Sequence, residues 1–285
     1  LQLDKAGQPV IHARPGTGDP DPDTDPHWRT LVADPLHRRI LITDGRHPSA
    51  LPLARALLAA GAQKVWVGIS ERWRTFPGEA DFAAIEGIEV VDLNLADDDS
   101  VAELASDIGA KTDILIHTAF FMRPGSVFER AELLKASDAM EVTYFGALRL
   151  ACHFGPVMRS RGADRDNSAV AWVNILSIHA HLSWPGFAGF SATQAASLSF
   201  SQALRAEMRD GGVRVIDVFA GPLEIDWLEH LPPPKVQPAA LAREVVAALK
   251  AGQEECWVGD VAKDFRERFQ ANPKEIERDL WQQRP

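Results

Sequence analysis

The sequence predicts an α/β fold built around a doubly wound, mostly parallel sheet in a single domain. Two observations predict it: short segments that are apolar throughout recur along the chain, and segments with helical spacing of apolar residues lie between them. Strands that are apolar on both faces are typical of a parallel sheet covered by helices on both sides. The predicted strands are residues 40–42, 65–67, 90–95, 114–116, 170–175, 213–219 and 256–258. The predicted helices are residues 51–58, 100–108, 131–159, 192–208 and 237–251.

The first elements show the pattern that the rest of the chain repeats. Residues 40–42 are an apolar run that ends at the polar Thr43. Apolar residues then recur at helical spacing over residues 51–58, and Gly61 provides a C-terminal stop. Residues 65–67 follow as a second buried strand. Right-handed crossovers between such strands give the doubly wound arrangement.

The ends of the chain differ from its centre in composition and in the pattern of apolar residues. Residues 1–37 form a predicted N-terminal extension, because residues 15–26 read PGTGDPDPDTDP and offer too little apolar surface to offset the entropy of ordering. Residues 38–260 form the predicted α/β domain. Residues 261–285 form a predicted helical tail with Phe265 and Phe269 on its apolar face.

Composition excludes several functional classes. The chain has 285 residues and a formal net charge of −10, which argues against a nucleic-acid surface because such a surface needs a basic stripe. No apolar run approaches the roughly 20 residues of a membrane span. Cys152 and Cys256 form no metal-type cluster, so we expect a reducing, cytoplasmic location. The chain also has one tyrosine, Tyr144, beside 13 phenylalanines.

Residues 173–196, VNILSIHAHLSWPGFAGFSATQAA, resemble the core of the short-chain dehydrogenase/reductase family. In that family a strand ends in a serine, and a Y-x-x-x-K motif opens a helix about a dozen residues later. The match extends in order over residues 38–260, and the resemblance implies a Rossmann-like fold. The other stretches in register are residues 40–62, 90–97, 113–119, 141–158 and 213–226.

The resemblance assigns the family's catalytic positions to four residues of this chain. Ser177 retains the serine, whereas Phe190 takes the tyrosine position, Gln194 the lysine position and Thr143 the asparagine position. Phenylalanine has no ionisable group, so it transfers no proton. Glutamine carries no charge that lowers the pKa of a neighbour. Tyr144 points about 100° away from Thr143 on a helix, so we expect it to pack rather than to substitute.

The family's cofactor loop, T-G-x-x-x-G-x-G, is also altered. Thr43 is present, but Asp44, Pro48 and Ala50 take the three glycine positions and Gly45 is displaced by one. Asp44 brings a negative charge toward a pyrophosphate, and Pro48 lacks an N–H donor. We therefore expect no cofactor, with NAD(P) as the alternative. If a nucleotide binds, the predicted contacts are Thr43, Gly45, Asn94 and Thr118.

These losses predict a catalytically inactive or non-redox member of the family, acting as a partner subunit or small-molecule-binding protein. Two alternatives stay open. One is an NAD(P)-dependent oxidoreductase with an unusual active site. The other is a lyase or hydrolase that uses Ser177 with His179 or His181 as nucleophile and base. Together with His117 these histidines also raise the question of a metal site, but without a carboxylate motif we predict none.

The resemblance also implies association with other chains. Family members pack the helix after the Y-x-x-x-K position against a neighbour, and here Ala196, Phe200, Ala203 and Leu204 form a small, apolar stripe on it. We expect a homo-oligomer, or a hetero-oligomer with a related family member.

Overall fold

The computed structural model of this chain describes residues 33–70, 78–119, 121–162, 168–224 and 234–282. These residues form a sheet of seven parallel strands: β1 (Arg39–Ile42), β2 (Lys64–Ile69), β3 (Ile88–Asp92), β4 (Ile114–His117), β5 (Ala171–Ser177), β6 (Arg214–Ala220) and β7 (Glu255–Val258). The strand order is β3-β2-β1-β4-β5-β6-β7. The prediction of a doubly wound parallel sheet in one domain is confirmed, and residues Leu31–Pro285 group as one unit.

Helices cover both faces of the sheet. They are α1 (Ala50–Ala59), α2 (Glu79–Ala83), α3 (Asp98–Ile108), α4 (Glu132–Ala139), α5 (Gly146–Gly162), α6 (Ala188–Met208), α7 (Pro238–Ala251), α8 (Asp260–Ala271) and α9 (Pro273–Gln282). Side chains of a strand alternate between the two faces. In β1, Ile40 and Ile42 therefore pack in the core layer of α1 and α7, whereas Leu41 packs in the layer of α3, α5 and α6. This alternation explains why each central strand is apolar throughout.

The long helix predicted over residues 131–159 is interrupted. A π-helix, Met140–Phe145, separates α4 from α5. The wider turn brings the carbonyl oxygen of Thr143 to 3.4 Å from Nε2 of His117 on β4. A local π-helix is often found at functional sites, and this one lies beside the carboxyl end of the sheet.

Helix α6 begins at Ala188, four residues earlier than the helix predicted over residues 192–208. Its N-terminal amides need partners outside the helix. Oε1 of Glu132, on α4, accepts a hydrogen bond from the backbone N–H of Gly189 at 3.0 Å. A carboxylate distant in sequence therefore caps this helix, which no local pattern indicates.

The C-terminal residues form two helices that add to the core. Phe265 of α8 and Ile276 of α9 are buried in a cluster with Phe219 and Trp257. Residues 1–32 of the predicted N-terminal extension lie outside the described part of the chain, so its boundary stays a prediction. Among the described residues, no helix has both the length and the apolar character needed to cross a membrane.

Candidate functional site

A cleft lies at the carboxyl ends of the strands. The order in which successive strands join the sheet reverses between β1 and β4, and in open parallel sheets ligands bind in the crevice at such a point. The cleft has a cavity volume of about 60 Å³ and is lined mainly by apolar side chains. Its four polar lining side chains are His47, Ser177, His179 and Gln194.

Ser177 is held by the residue that stands in the family's lysine position. The backbone N–H of Ser177 donates to Oε1 of Gln194 at 2.8 Å, and Gln194 is buried on α6. Oγ of Ser177 accepts a hydrogen bond from the backbone N–H of His179 at 3.2 Å. No described residue accepts the hydroxyl proton of Ser177, so this proton is available to a ligand in the cleft.

His179 presents one ring nitrogen as an acceptor. Nδ1 lies 3.3 Å from the carbonyl oxygen of Leu182, and since a carbonyl only accepts, Nδ1 carries the proton. Nε2 is then unprotonated, and it has no hydrogen-bond partner among the described residues. The ring stacks on Trp184 with a centroid separation of 4.8 Å. Burial lowers the pKa of His179 to about 4, so the ring is neutral at neutral pH.

Ser177 and His179 do not form a nucleophile–base pair. The contact between them uses the backbone N–H of His179, while Nδ1 of its ring is directed to Leu182. A hydrolase of the serine type needs the base nitrogen on the serine hydroxyl. The geometry therefore gives the lyase or hydrolase alternative no support.

His181 lies outside the cleft. Its ring packs against Phe219 and Phe269, with centroid separations of 4.8 and 5.3 Å, and against Trp257 at 5.3 Å. Its Nε2 is buried without a hydrogen-bond partner among the described residues, and burial lowers the pKa of His181. A single residue, Ala180, thus separates a histidine in the cleft from one in an aromatic core cluster.

The three histidines considered as metal ligands have different surroundings. Nδ1 of His117 lies 3.1 Å from Oγ1 of Thr43. His179 lines the cleft, and His181 packs in the aromatic cluster. Over the described residues, no group of three or more metal-ligating side chains comes together.

Phe190 occupies the place that the family gives its tyrosine. It is buried beside Met122 and Phe187, and it lines the cleft. Oγ1 of Thr143 accepts from the backbone N–H of Phe121 at 3.3 Å. Tyr144 lines a different groove, between α5 and α6, so the single tyrosine does not reach the cleft.

All four predicted nucleotide contacts form hydrogen bonds within the chain itself. Oγ1 of Thr43 accepts from the backbone N–H of Thr118 at 3.1 Å. A Cβ at Gly45 would lie 2.7 Å from Cγ1 of Val67, so no larger residue fits there without movement. Oδ1 of Asn94 accepts from a backbone amide two residues later in its own turn.

Sequence reasoning missed His47. It is buried, lines the cleft, and its Nδ1 accepts from the backbone N–H of Ser49 at 3.1 Å. Burial, with a smaller contribution from the nearby His117, lowers the pKa of His47 to about 3. The available signal is its position in the loop before α1, directly before Pro48.

A pyrophosphate at a helix N-terminus is bound through free backbone amides. In the loop before α1, the amides of residues 45–47, 49 and 50 all donate to acceptors within the chain. Residue 48 is proline and has no amide hydrogen. In this conformation the loop therefore does not fit a cofactor pyrophosphate.

Comparisons with known proteins give the family. The family model described as enoyl-(acyl carrier protein) reductase matches residues 50–261. The chain is 27% identical over 184 residues to the short-chain dehydrogenase fogD of Aspergillus ruber, covering 62% of this chain and 60% of that protein. It is 28% identical over 191 residues to dehydrogenase/reductase SDR family member 7B of Rattus norvegicus, covering 64% and 57%. The matches thus span about three fifths of the length of these relatives.

Two solved structures are similar over most of their length. A short-chain dehydrogenase from Burkholderia cenocepacia, in complex with NADP, has a TM-score of 0.76 at 28% identity, covering 87% of this chain and 98% of that one. A short-chain dehydrogenase from Streptomyces avermitilis has a TM-score of 0.70 at 25% identity, covering 86% and 96%.

These matches overturn two expectations drawn from the sequence. The expected inactive or non-redox role is wrong, because the matched family model and relatives are dehydrogenases and reductases. The expected absence of a cofactor is wrong too, because a similar solved structure holds NADP. Phe190 and Gln194 still stand in the family's tyrosine and lysine positions, whereas the fold and Ser177 are retained.

Proposed function

Because the chain belongs to the short-chain dehydrogenase/reductase family, we propose that it is an NAD(P)-dependent oxidoreductase that interconverts an alcohol and a carbonyl compound. The observation that carries the proposal is the cleft at the end of β5. There, Ser177 offers a hydroxyl proton and His179 offers an unprotonated Nε2 beside the point where the strand order reverses. The NADP complex of the similar Burkholderia protein supports the choice of cofactor.

In this proposal Ser177 binds the oxygen of the substrate. Its hydroxyl donates a hydrogen bond to the carbonyl or alcohol oxygen, which stabilises negative charge on that atom. Gln194 acts as a positioning residue, because its side-chain carbonyl fixes the backbone of Ser177 at the strand end.

His179 takes the proton-transfer role that Phe190 cannot fill. Nε2 accepts the proton of an alcohol, and the resulting imidazolium keeps its Nδ1–H bond to the carbonyl oxygen of Leu182. The stacked Trp184 fixes the ring plane. Burial lowers the pKa of His179 to about 4, which keeps the acceptor form dominant at neutral pH.

The lining of the cleft indicates the substrate class. Met122, Ile175, Phe190, Leu223 and Leu241 surround the polar groups with apolar surface. No described lysine or arginine lines the cleft. We therefore propose a small, uncharged and largely apolar alcohol, aldehyde or ketone as substrate.

The test is a turnover screen on the purified full chain. NADPH and NADH are each offered with a panel of apolar aldehydes and ketones, and NADP⁺ and NAD⁺ with the matching alcohols. We expect turnover of at least one pair, lost in Ser177→Ala and His179→Asn. Absence of turnover across the panel, together with absence of cofactor binding in calorimetry, would contradict the proposal.

We also propose that a second copy of this chain packs on the groove between α5 and α6. Tyr144, Ala151, Phe200 and Leu204 give this groove an apolar lining. Sedimentation of the parent chain and of Phe200→Glu tests it: we expect a dimer or larger assembly that the charged variant weakens. A parent chain that sediments as a monomer, and associates only when a related family member is added, is the contrary outcome.

A cytoplasmic location stays a prediction, which cell fractionation tests.

A further inference from the structure

We propose that Asp44 and His47 hold the loop before α1 in a self-closed state, in which the chain's own groups take the amides that a cofactor pyrophosphate uses. Cofactor binding then requires these two side chains to be displaced. The inference rests on the cofactor use proposed above and adds that this chain's own residues limit the affinity.

The first half of the loop is closed by Asp44. Its Oδ1 accepts from the backbone N–H of Arg46 at 2.9 Å, and its carbonyl oxygen accepts from the backbone N–H of His47 at 3.3 Å. The backbone N–H of Gly45 donates to the carbonyl oxygen of Gly68 on β2 at 2.7 Å. Three consecutive amides are therefore taken.

The second half is closed by His47. Its Nδ1 accepts from the backbone N–H of Ser49 at 3.1 Å and lies 2.6 Å from Oγ of Ser49. Its carbonyl oxygen accepts from the backbone N–H of Ala50, the first residue of α1, at 2.8 Å. Since Nδ1 accepts from the amide, it is the unprotonated nitrogen, and the ring acts here as an acceptor in place of a phosphate oxygen.

Charge adds to the competition. An anion at a helix N-terminus is stabilised by the helix dipole, and Asp44 places a carboxyl group in the loop that leads into α1. Burial raises the pKa of Asp44, and the backbone hydrogen bond and charge of Arg46 oppose this rise. In its ionised form the half-buried carboxylate repels an approaching phosphate. The guanidinium of Arg46 is directed toward Ser70 at the end of β2, with Nη1 2.7 Å from Oγ. Arg46 thus connects the loop to the end of β2.

The closure is local and separable from the fold. The backbone N–H of Asp44 donates to Oγ1 of Thr118 at 3.0 Å, so the start of the loop stays attached when the carboxylate is removed. Asp97 provides a matched control, since its Oδ1 also accepts from the amide two residues later, that of Asp99, at 3.1 Å. It lies at the start of α3 instead of α1.

The test is calorimetric titration of NADPH and NADH into the full chain and its variants. We expect Asp44→Gly to tighten binding about tenfold or more. The substitution removes the acceptor that occupies the backbone N–H of Arg46, and it removes a negative charge that repels the phosphates. Asp44→Asn keeps the acceptor but removes the charge, so a smaller gain is expected. His47→Ala is the independent variant for the second half, and Asp97→Gly should leave affinity unchanged.

Two outcomes overturn the inference and separate it from the proposed function. Equal affinity of the parent, Asp44→Gly and His47→Ala would overturn the self-closed loop while leaving the oxidoreductase proposal intact. No binding by the parent or any loop variant would overturn both. Amide hydrogen exchange adds a readout without cofactor: protection at Arg46 and Ser49 in the parent supports the closed loop, and rapid exchange there contradicts it.

Discussion

The ends of β1 and β5 lie at the same edge of the sheet, but they differ in whether their polar groups have hydrogen-bond partners within the chain. After β1, Thr43, Asp44 and His47 find partners within the chain. After β5, the proton of Ser177 and Nε2 of His179 find none among the described residues. A cleft that binds a ligand places a few polar groups where the ligand can pair with them. The difference assigns chemistry to the β5 end and control of affinity to the β1 end.

The largest expected effect is at His179. Asn preserves a donor near the carbonyl oxygen of Leu182 but removes Nε2, so we expect His179→Asn to lower kcat about 1000-fold, within the range of general acid–base contributions. Steady-state kinetics measures it. His179→Gln, which restores a polar group near Nε2, should recover part of the substrate binding seen in KM. Full activity in His179→Asn would break the assignment of proton transfer to the β5 end.

Next in size is the loss of the Ser177 hydroxyl. We expect Ser177→Ala to lower kcat/KM about 100-fold, because one hydrogen bond to the reacting oxygen is removed. Ser197 is the control, since its Oγ is buried on α6 with no hydrogen-bond partner in the described part of the chain. Ser197→Ala should leave kcat/KM unchanged. Similar losses in both variants would point to a general effect on the fold instead of the loss of one hydrogen bond to the substrate.

The β1 end should respond in stability. Gly45→Ala places a Cβ 2.7 Å from Cγ1 of Val67, so we expect it to lower the free energy of unfolding by about 2 kcal/mol. Urea unfolding measures it. Gly155, on α5, is the control. A Cβ there would meet only the flexible end of Met208, at 3.4 Å, so we expect Gly155→Ala to raise the free energy of unfolding slightly. Tolerance of alanine at Gly45 would show that the loop after β1 adapts more readily than its packing indicates.

The smallest expected effect is the acid sensitivity of His47. Its pKa is about 3 in the folded chain, below the ordinary value of 6.5, so the unfolded state binds the extra proton first. Its contribution to stability is therefore present above pH 6.5 and is lost as pH falls toward 3. Between pH 7 and about pH 5.5 the loss is about 1 kcal/mol for this residue. Urea unfolding at both values should show a smaller drop in His47→Asn, and an equal drop would contradict the burial of a neutral ring.

Much of the fold followed from local pattern. The run Ile40–Ile42 is apolar at each position because helices cover both faces of β1. A strand covered on one face only would need apolar residues at every second position. The resemblance placed Ser177 at a strand end, and β5 ends at this residue. The start of α6 was missed by four residues because its cap, Glu132, lies on another helix.

The site was less predictable than the fold. His179 and His181 look alike in sequence, yet one lines the cleft and the other packs among aromatic rings. His179 lies within the short 3₁₀ turn Ile178–Ala180 after β5 and His181 directly follows this turn, so strand alternation does not apply. The roles assigned to Ser177, His179 and Gln194 therefore depend on the turn geometry as well as on residue type.

The sequence by itself determined the order of strands and helices, the family resemblance, and the replacement of tyrosine and lysine by Phe190 and Gln194. These properties depend on hydrophobic periodicity and residue identity, which the chain carries locally. Only the tertiary structure decided which polar groups are satisfied. Hydrogen bonds between residues far apart in sequence, such as those of Thr43 with Thr118 and of Ser177 with Gln194, exist only after β1, β4, β5 and α6 have packed together.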